Sequence, residues 1–174
     1  MKIIEGMKKI KELEIKAKDL RDKVFTFCAD MDYETPVYGD EATQRATVSG
    51  WVQAHRDIVK EILDLRVAIQ RTNLATEVEI EVTEGKTVKK TIAEWIHRRV
   101  ALAPLEREMI SRLGAKEKMM KETPLQSSTG TSTPTKIRRY YEPAERDALL
   151  EEYTSEPMKI DARLEVVNAV TDLI

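Results

Sequence analysis

Residues suited to acid–base, nucleophilic or metal chemistry are few and widely spaced in this sequence. The histidines are His55 and His97, and the single cysteine is Cys28. His55 falls on an apolar helical stripe, where a polar residue commonly fixes register or oligomeric state; a catalytic or ligand role is the alternative. His97 is interpreted as a partly exposed structural histidine. Cys28 follows Phe25 and Phe27 at the end of an apolar stripe, which predicts an inert, buried thiol rather than a nucleophile.

Other sequence motifs also fail to indicate an active site. Neither GxxxxGK nor GxGxxG, the glycine patterns of phosphate-binding loops, is present. Carboxylates are dispersed among lysines, as on a solvated helix, and a di-metal helical bundle would need two Glu-x-x-His motifs, which this chain does not supply. One cysteine permits neither an intramolecular disulfide nor a multi-cysteine metal site. We therefore expect a protein that is not an enzyme and has no catalytic, cofactor-binding or metal-binding residues.

Composition favours a helical protein and disfavours nucleic acid as a partner. Charged residues make up 34% of the chain, hydrophobic ones 41% and aromatic ones 5%, a usage typical of long helices. The formal net charge of -2 removes any general attraction to phosphate. The longest apolar run, residues 100–105, is too short to cross a bilayer, and the opening residues lack the apolar run of a signal peptide. We expect a cytoplasmic protein, or one assembled from the cytoplasm into a particle such as a virion.

Apolar periodicity predicts two long antiparallel helices. In residues 2–29 apolar side chains recur every three or four positions, and Pro36 and Gly39 then mark a loop. In residues 41–72 the same spacing gives a heptad pattern. We call its leading members the helix-two seam and expect them to pack against another helix or another subunit: Trp51, His55, Ile58, Ile62, Leu65 and Ile69. A second apolar flank favours a bundle with more than one neighbour; its members are Val52, Val59, Leu63 and Val67.

A short strand pattern follows, and then a third helix. Residues 77–90 alternate apolar and charged side chains around a TEGK turn, which predicts a β-hairpin whose edge could serve as an assembly contact. Thr91 and Glu94 have capping-box spacing and open the third helix, which Pro104 should kink and Gly114 should end. Its apolar positions are Ile92, Trp95, Ile96, Val100, Leu102, Leu105, Met109 and Leu113.

The expected organisation has three parts. Residues 1–122 form a helical bundle that includes the hairpin; residues 123–135 form a flexible linker, because they hold almost no apolar side chain. Residues 136–174 form an extended arm and one or two C-terminal helices, which pack on the bundle or on a neighbouring subunit. The fold class is thus mainly α: an antiparallel, coiled-coil-like bundle of long helices, with a small β-hairpin between the second and third helices and a flexible arm before the C-terminal helices.

Two groups of basic residues are candidate binding surfaces. The first, the basic face of the third helix, could dock an acidic partner, although an ordinary solvated face is the alternative. The second is the arm, a basic and aromatic mixture that can stack on single-stranded nucleic acid; packing on the bundle or a neighbouring subunit is preferred. The basic face comprises Arg98, Arg99, Arg107 and Arg112, and the arm carries Arg138, Arg139, Tyr140 and Tyr141.

The chain contains the stretches MKIIEGMKKIKELEIKAKDLRDKV, IQRTNLAT, TEGKTVKKTIAEWIHRRVALAPL and KIDARLEVVNAVTDLI. Together they resemble the septicolysin-like family of small helical proteins, and the likeness spans most of the chain. In IQRTNLAT, its most specific stretch, Asn73 and Thr76 are expected to end helix two and shape the turn. The chain departs from the family at Asn168-Ala169, where family members have an aromatic residue after the asparagine. The resemblance implies a fold, while the family name implies membrane activity.

These patterns favour a self-associating structural protein, the subunit of a homo-oligomer or of a larger particle such as a phage virion. Other structural proteins of an assembly are further candidate partners. The helix-two seam, the hairpin edge and the arm motivate this hypothesis, because each offers surface that one small protomer does not satisfy alone. The alternative is a membrane-active, septicolysin-like protein that uses a basic amphipathic first helix. Nucleic acid is not expected as a partner, and a membrane is less favoured than another protein.

Overall fold

A computed structural model of the chain describes residues 1–122 and 138–174. The predicted linker and the first arm residues lie outside these ranges. The described residues form two compact units, one of residues 1–75 with 166–174 and one of residues 76–165. The predicted fold class is confirmed: the protein is mainly α, its long helices pack together, and a small β-hairpin separates the second helix from the third.

The first unit contains a hairpin of two long helices, α1 (Ile3–Phe27) and α2 (Glu41–Ala75), which pack against each other. Helix α2 runs past its predicted end at residue 72. Asn73 therefore lies inside the helix rather than ending it, and Thr76 is the first residue beyond. The extension matters for the next element, because β1 begins directly after Thr76.

Side-chain carboxylates satisfy backbone amides at the start of both helices. The Lys2 N–H donates to the Glu5 carboxylate (2.8 Å) at the start of α1. Before α2, the Thr43 N–H donates to the Asp40 carboxylate (2.7 Å), as in a standard N-cap. This hydrogen bond lowers the pKa of Asp40 below its ordinary value, because it favours the charged form. Local sequence thus sets where each helix of the hairpin begins.

The end of the chain returns to the start of α1. An antiparallel bridge pairs Lys2 with Asp172, and the Lys2 ammonium lies 2.6 Å from the Asp172 carboxylate. Gly6 allows the tail to come this close, since a Cβ added at Gly6 would lie 3.0 Å from Leu173 Cδ1. The two termini are therefore held together within the first unit.

The second unit opens with an antiparallel hairpin of β1 (Glu77–Thr83) and β2 (Lys86–Thr91), as predicted for residues 77–90. Gly85 supplies the turn with a φ of 75°, a left-handed conformation that glycine adopts without steric cost. Glutamates of β1 are exposed, while every second side chain is buried: Val78, Ile80 and Val82. Period-two alternation in the sequence thus corresponds to one buried and one solvated face.

The third predicted helix consists of α3 (Ile92–His97), a π turn (Arg98–Leu102) and α4 (Ala103–Glu122). The predicted capping box is present, because the Glu94 N–H donates to Thr91 Oγ1 (3.2 Å) and the Thr91 N–H donates to Glu94 Oε2 (2.7 Å). The Thr91 N–H and the Thr91 hydroxyl both donate to the Glu94 carboxylate, and these hydrogen bonds lower the pKa of Glu94. The start of this helix is therefore encoded locally.

The π turn lies directly before Pro104. In it the Ala103 N–H donates to the Arg98 carbonyl, five residues earlier. Proline has no N–H, so the Val100 carbonyl would lose its donor in a continuous α-helix, and the proline ring would clash with it. The structure thus accommodates Pro104, the residue expected to kink this helix, by widening the preceding turn.

The last helix is α5 (Pro143–Val170). It begins at Pro143, a residue type that favours the first position of a helix, and continues through Pro157, so the one or two predicted C-terminal helices are a single helix. The prediction that Gly114 ends the third helix was wrong, since α4 continues beyond it. Instead, Gly114 lets the Arg146 side chain of α5 approach the α4 backbone closely.

Candidate interaction surfaces

The helix-two seam packs within the first unit but is incompletely covered. All of its residues are half-buried in the α1–α2 hairpin. Beside it, the second apolar flank of α2 is partly open to solvent, because Val59 and Leu63 are exposed. The seam therefore serves intramolecular packing, and the flank leaves apolar surface available.

Three aromatic rings pack at one end of this hairpin. The centroids of Phe27 and Tyr38 are 5.2 Å apart, those of Tyr38 and Trp51 are 5.3 Å apart, and those of Phe27 and Trp51 are 5.8 Å apart. Two of these contacts are edge-to-face, a favourable geometry for aromatic quadrupoles. Gln44 Nε2 also donates to the Phe27 carbonyl (2.9 Å). The loop between the helices is thus anchored to the seam by Trp51.

The chemically reactive side chains do not assemble into a site. Cys28 is exposed just past the end of α1, so the predicted burial of its thiol was wrong. His55 is half-buried and lines a groove of about 210 Å³ between α1 and α2. His97 is exposed, and Glu94 is engaged in the capping box. Among the described residues, no group of three or more His, Cys, Asp or Glu side chains is arranged to hold a metal ion.

A partly buried ion cluster forms at the π turn. The Arg98 guanidinium donates to both carboxylate oxygens of Glu156 (2.7 and 2.8 Å) and lies 2.6 Å from Glu106 Oε2, without hydrogen-bond geometry there. It also lies 5.5 Å from the centre of the Tyr153 ring. The hydrogen bonds to Glu156 raise the pKa of Arg98, and burial, aided by Glu106, raises the pKa of Tyr153. The cluster ties the π turn to α5 and has a structural role.

The predicted basic face does not form one positive surface. Arg98 is committed to the ion cluster, and Arg99 pairs with Asp161 of α5. Arg112 pairs with a glutamate one turn earlier in α4 (3.1 Å). Arg107 is exposed and forms no ion pair in the described part of the chain. Because three of the four charges are matched within the protein, the structure offers little attraction for an acidic partner here.

The described arm residues lie against α4. The Arg139 guanidinium donates to both oxygens of Glu117 (2.5 and 2.7 Å), and the Tyr141 hydroxyl donates to the same carboxylate (3.2 Å). Arg138 and Tyr140 are exposed. These contacts border an open pocket of about 530 Å³ between α4 and the start of α5. The sequence left open whether the arm stacks on nucleic acid or packs on protein. Arg139 and Tyr141 pack on a helix of their own chain.

Hydrogen bonds from two helices anchor β1. Trp95 Nε1 of α3 donates to the Val78 carbonyl (3.0 Å), and Lys159 Nζ of α5 donates to the Val82 carbonyl (2.7 Å). The other strand carries lysines, which disfavour the addition of a further strand: Lys86, Lys89 and Lys90. The hairpin therefore fits a role within its own unit better than the edge-to-edge contact considered from the sequence.

Helix α4, together with the last residue of the π turn before it, carries a row of exposed apolar side chains, which we call the α4 stripe. The adjoining side of the helix is directed inward, with Ala103 and Ile110 buried. Monomeric proteins rarely expose extended apolar rows, and such rows mark interaction sites. The α4 stripe, with exposed fractions, comprises Leu102 (47%), Leu105 (62%), Met109 (59%), Leu113 (36%) and Met120 (49%). The sequence pattern marks most of these residues as apolar positions of the third helix but does not separate them from the buried positions of the same helix.

Comparisons with known proteins identify a similar fold. No protein-family model matches the chain, and no curated protein matches it. A crystal structure of a functionally unknown conserved protein from Corynebacterium diphtheriae is similar, with a TM-score of 0.56 and 17% identical residues over 100% of this chain and 99% of that chain. At this identity the similarity shows the fold alone.

Within the described ranges, no helix combines the length and apolar character needed to cross a membrane.

Proposed function

We propose that this protein is a non-enzymatic subunit that associates with copies of itself, as a homo-oligomer or as part of a larger structural particle. The observation that carries the proposal is the α4 stripe, which extends over about 27 Å of helix at 1.5 Å per residue. A single chain leaves these side chains in water, whereas a partner with a matching apolar surface would cover them.

The strength of such a contact follows from the exposed fractions. Full burial of a Leu or Met side chain is worth about 1.5–3 kcal/mol, so covering the remaining exposed parts of the α4 stripe yields about 4–8 kcal/mol per copy. Two copies yield about twice that, close to the roughly 4–15 kcal/mol that association costs. The α4 stripe alone therefore supports weak, concentration-dependent association, and a stable assembly requires additional surface.

The first unit offers such a surface. Val59 and Leu63 on α2 are exposed beside the half-buried helix-two seam. A subunit with two separate self-contact surfaces can close into a symmetric oligomer or continue into an extended array, depending on their geometry. This arrangement is compatible with a particle component as well as with a small oligomer.

The membrane-active alternative implied by the septicolysin-like resemblance has less support. It would need one continuous apolar face on α1, but the exposed large apolar side chains there are Met7, Ile15 and Phe25. They are eight and ten residues apart, so more than two helical turns separate each from the next. These isolated side chains do not form a continuous membrane-facing stripe, and we therefore favour self-association.

The direct test is molar mass by light scattering over a range of micromolar concentrations. We expect a mass above the 20.0 kDa of one chain that decreases on dilution. Met109→Gln should weaken association at least tenfold, because it replaces a thioether in the α4 stripe by an amide that resists burial. Met158→Gln is the matched control: Met158 is also an exposed helical methionine of the second unit, but it lies outside the α4 stripe. A monomeric mass at every concentration would overturn the proposal.

A further inference from the structure

The two borders of the α4 stripe differ. On one side, Glu106 and Ile110 are directed into the second unit and are half-buried and buried, respectively. On the other side, Glu108 and Arg112 are exposed and pair with each other at 3.1 Å. Lys116 lies in the row itself, between Leu113 and Met120. We call the side with Glu108 and Arg112 the open border. A partner therefore meets an apolar row and, along its open border, a negative and a positive charge one helical turn apart.

This charge arrangement is self-complementary in only one orientation. In an antiparallel pair with a twofold axis at the level of residue 110, Glu108 lies opposite the partner's Arg112, and the reverse contact forms by symmetry. Lys116 then lies opposite the partner's Pro104, where no charge opposes it. A parallel pair in register would instead place Lys116 opposite the partner's Lys116, and the borders that carry Glu108 and Arg112 would lie on opposite edges of the interface, where they do not meet. Like charges facing each other destabilise an interface, so the antiparallel pair is favoured.

Other occupants fit the α4 stripe less well. A helix that binds anionic lipid has a basic polar face, whereas α4 mixes basic residues with Glu106, Glu108 and Glu117. Residues 123–137 of this chain contain just two large aliphatic side chains, Leu125 and Ile137, and so could not match the whole row. A second copy supplies an equal apolar row and opposite charges at once.

We infer that the α4 stripe is a twofold, antiparallel interface between two copies of this chain, with Met109 close to the axis and Glu108 facing the partner's Arg112. The inference rests on the proposed function and specifies the surface and geometry through which self-association occurs. An additional contact through α2 would be separate from this interface.

Disulfide trapping tests the geometry directly. Cys28 is the chain's single cysteine, so Cys28→Ser gives a background into which Met109→Cys, Leu102→Cys and Met120→Cys are introduced one at a time. A disulfide requires Cα atoms within about 7 Å of each other. In the antiparallel pair, position 109 is offset from its own copy by roughly 3 Å along the axis, whereas position 102 is offset by roughly 24 Å and position 120 by roughly 30 Å.

We therefore expect Met109→Cys to form a disulfide-linked dimer under mild oxidation. Leu102→Cys and Met120→Cys should each stay unlinked alone and become linked to each other when the two variants are mixed. Circular dichroism confirms that the variants keep their helix content. A parallel pair would link each variant to itself, and that result would overturn the inference.

A second result would also overturn it: an oligomer by light scattering in which Met109→Cys does not cross-link. In that case the proposed function stands and the interface lies elsewhere. Binding of the wild-type chain to vesicles of anionic lipid, lost in Met109→Gln and accompanied by no cross-linking, would assign the α4 stripe to a membrane and overturn the inference in a different way. A monomer at all concentrations refutes the proposed function itself.

Discussion

The ion cluster at the π turn permits a quantitative prediction about the second unit. Replacing Arg98 by Met removes the cation that two carboxylates share and leaves Glu156, which is 3% exposed, without its charge partner. Removing one member of a buried ion pair costs about 3–5 kcal/mol. We expect about 3 kcal/mol, at the lower end, because the side chain of Glu106 is 43% exposed and keeps part of its hydration.

The assay uses the distribution of the two tryptophans between the units. Trp51 lies in the first unit, and Trp95 is buried in the second, with its indole N–H bonded to the Val78 carbonyl. In a Trp51→Phe background, fluorescence therefore reports unfolding around Trp95. A midpoint change of about 2–4 °C per kcal/mol applies to chains of this size, so Arg98→Met should lower the midpoint by roughly 6–12 °C.

Two further variants make the interpretation specific. Arg107→Met removes an exposed arginine near the same turn and should change stability by no more than about 0.5 kcal/mol. The double variant Arg98→Met with Glu156→Met should recover most of the loss, because apolar side chains often replace a buried ion pair without penalty. A cost below about 1 kcal/mol for Arg98→Met would mean that the cluster behaves like a surface ion pair, and our reasoning from its burial would be refuted.

Three other predictions follow from the charges and the thiol. Glu108→Arg and Arg112→Glu should each weaken self-association about tenfold and should associate when mixed, because the mixed pair restores opposite charges; light scattering of the separate and mixed variants checks this. The hydrogen bond from Lys2 lowers the pKa of Asp172, so this contact contributes stability above the ordinary carboxylate range and loses it as the pH falls. Asp172→Asn should thus lower the thermal midpoint at neutral pH, and the difference from wild type should shrink as the pH falls through the lowered pKa of Asp172. The exposed Cys28 should react fully with a thiol reagent in the native protein, and protection until denaturation would contradict its placement.

Local sequence patterns predicted most individual elements correctly. Four patterns each act over a few residues, so they can be recognised without tertiary information. They are the apolar periodicity of α1 and α2, the helix-breaking residues Pro36 and Gly39, the apolar–charged alternation before Gly85 and the capping box at Thr91. This is why the fold class and the hairpin were predictable, while helix ends were less so: α2 and α4 continue past the residues that were expected to end them.

Features that depend on distant residues could not be predicted. Arg98 and Glu156 are 58 positions apart, and nothing in their local sequences indicates that they meet. Cys28 follows an apolar stripe, but Phe25 points outward and the thiol lies just past the end of α1, so the expected apolar surroundings are absent. The distinction between covered and exposed apolar rows likewise requires the tertiary structure.

The exposure of the α4 stripe can be traced to one local irregularity. If α3, the π turn and α4 formed one unbroken α-helix, Ile92 and Trp95 would point within about 100°, around the helix axis, of most side chains of the α4 stripe. The sequence accordingly shows a single apolar face for this helix. The hydrogen bond from Ala103 to Arg98 includes one more residue than an α-helical bond. One additional residue rotates α4 by roughly 100° relative to α3.

This rotation decides which side chains of α4 enter the second unit. It directs Ala103 and Ile110 inward, where both are buried, and leaves Leu105 and Met109 in solvent. Pro104 favours the wider turn, because proline cannot supply the hydrogen bond that a continuous α-helix needs at this position. A continuous helix would have turned the apolar row toward the side of Trp95 and left less of it for a partner. The interruption that accommodates the proline therefore also creates the surface that we propose for self-association.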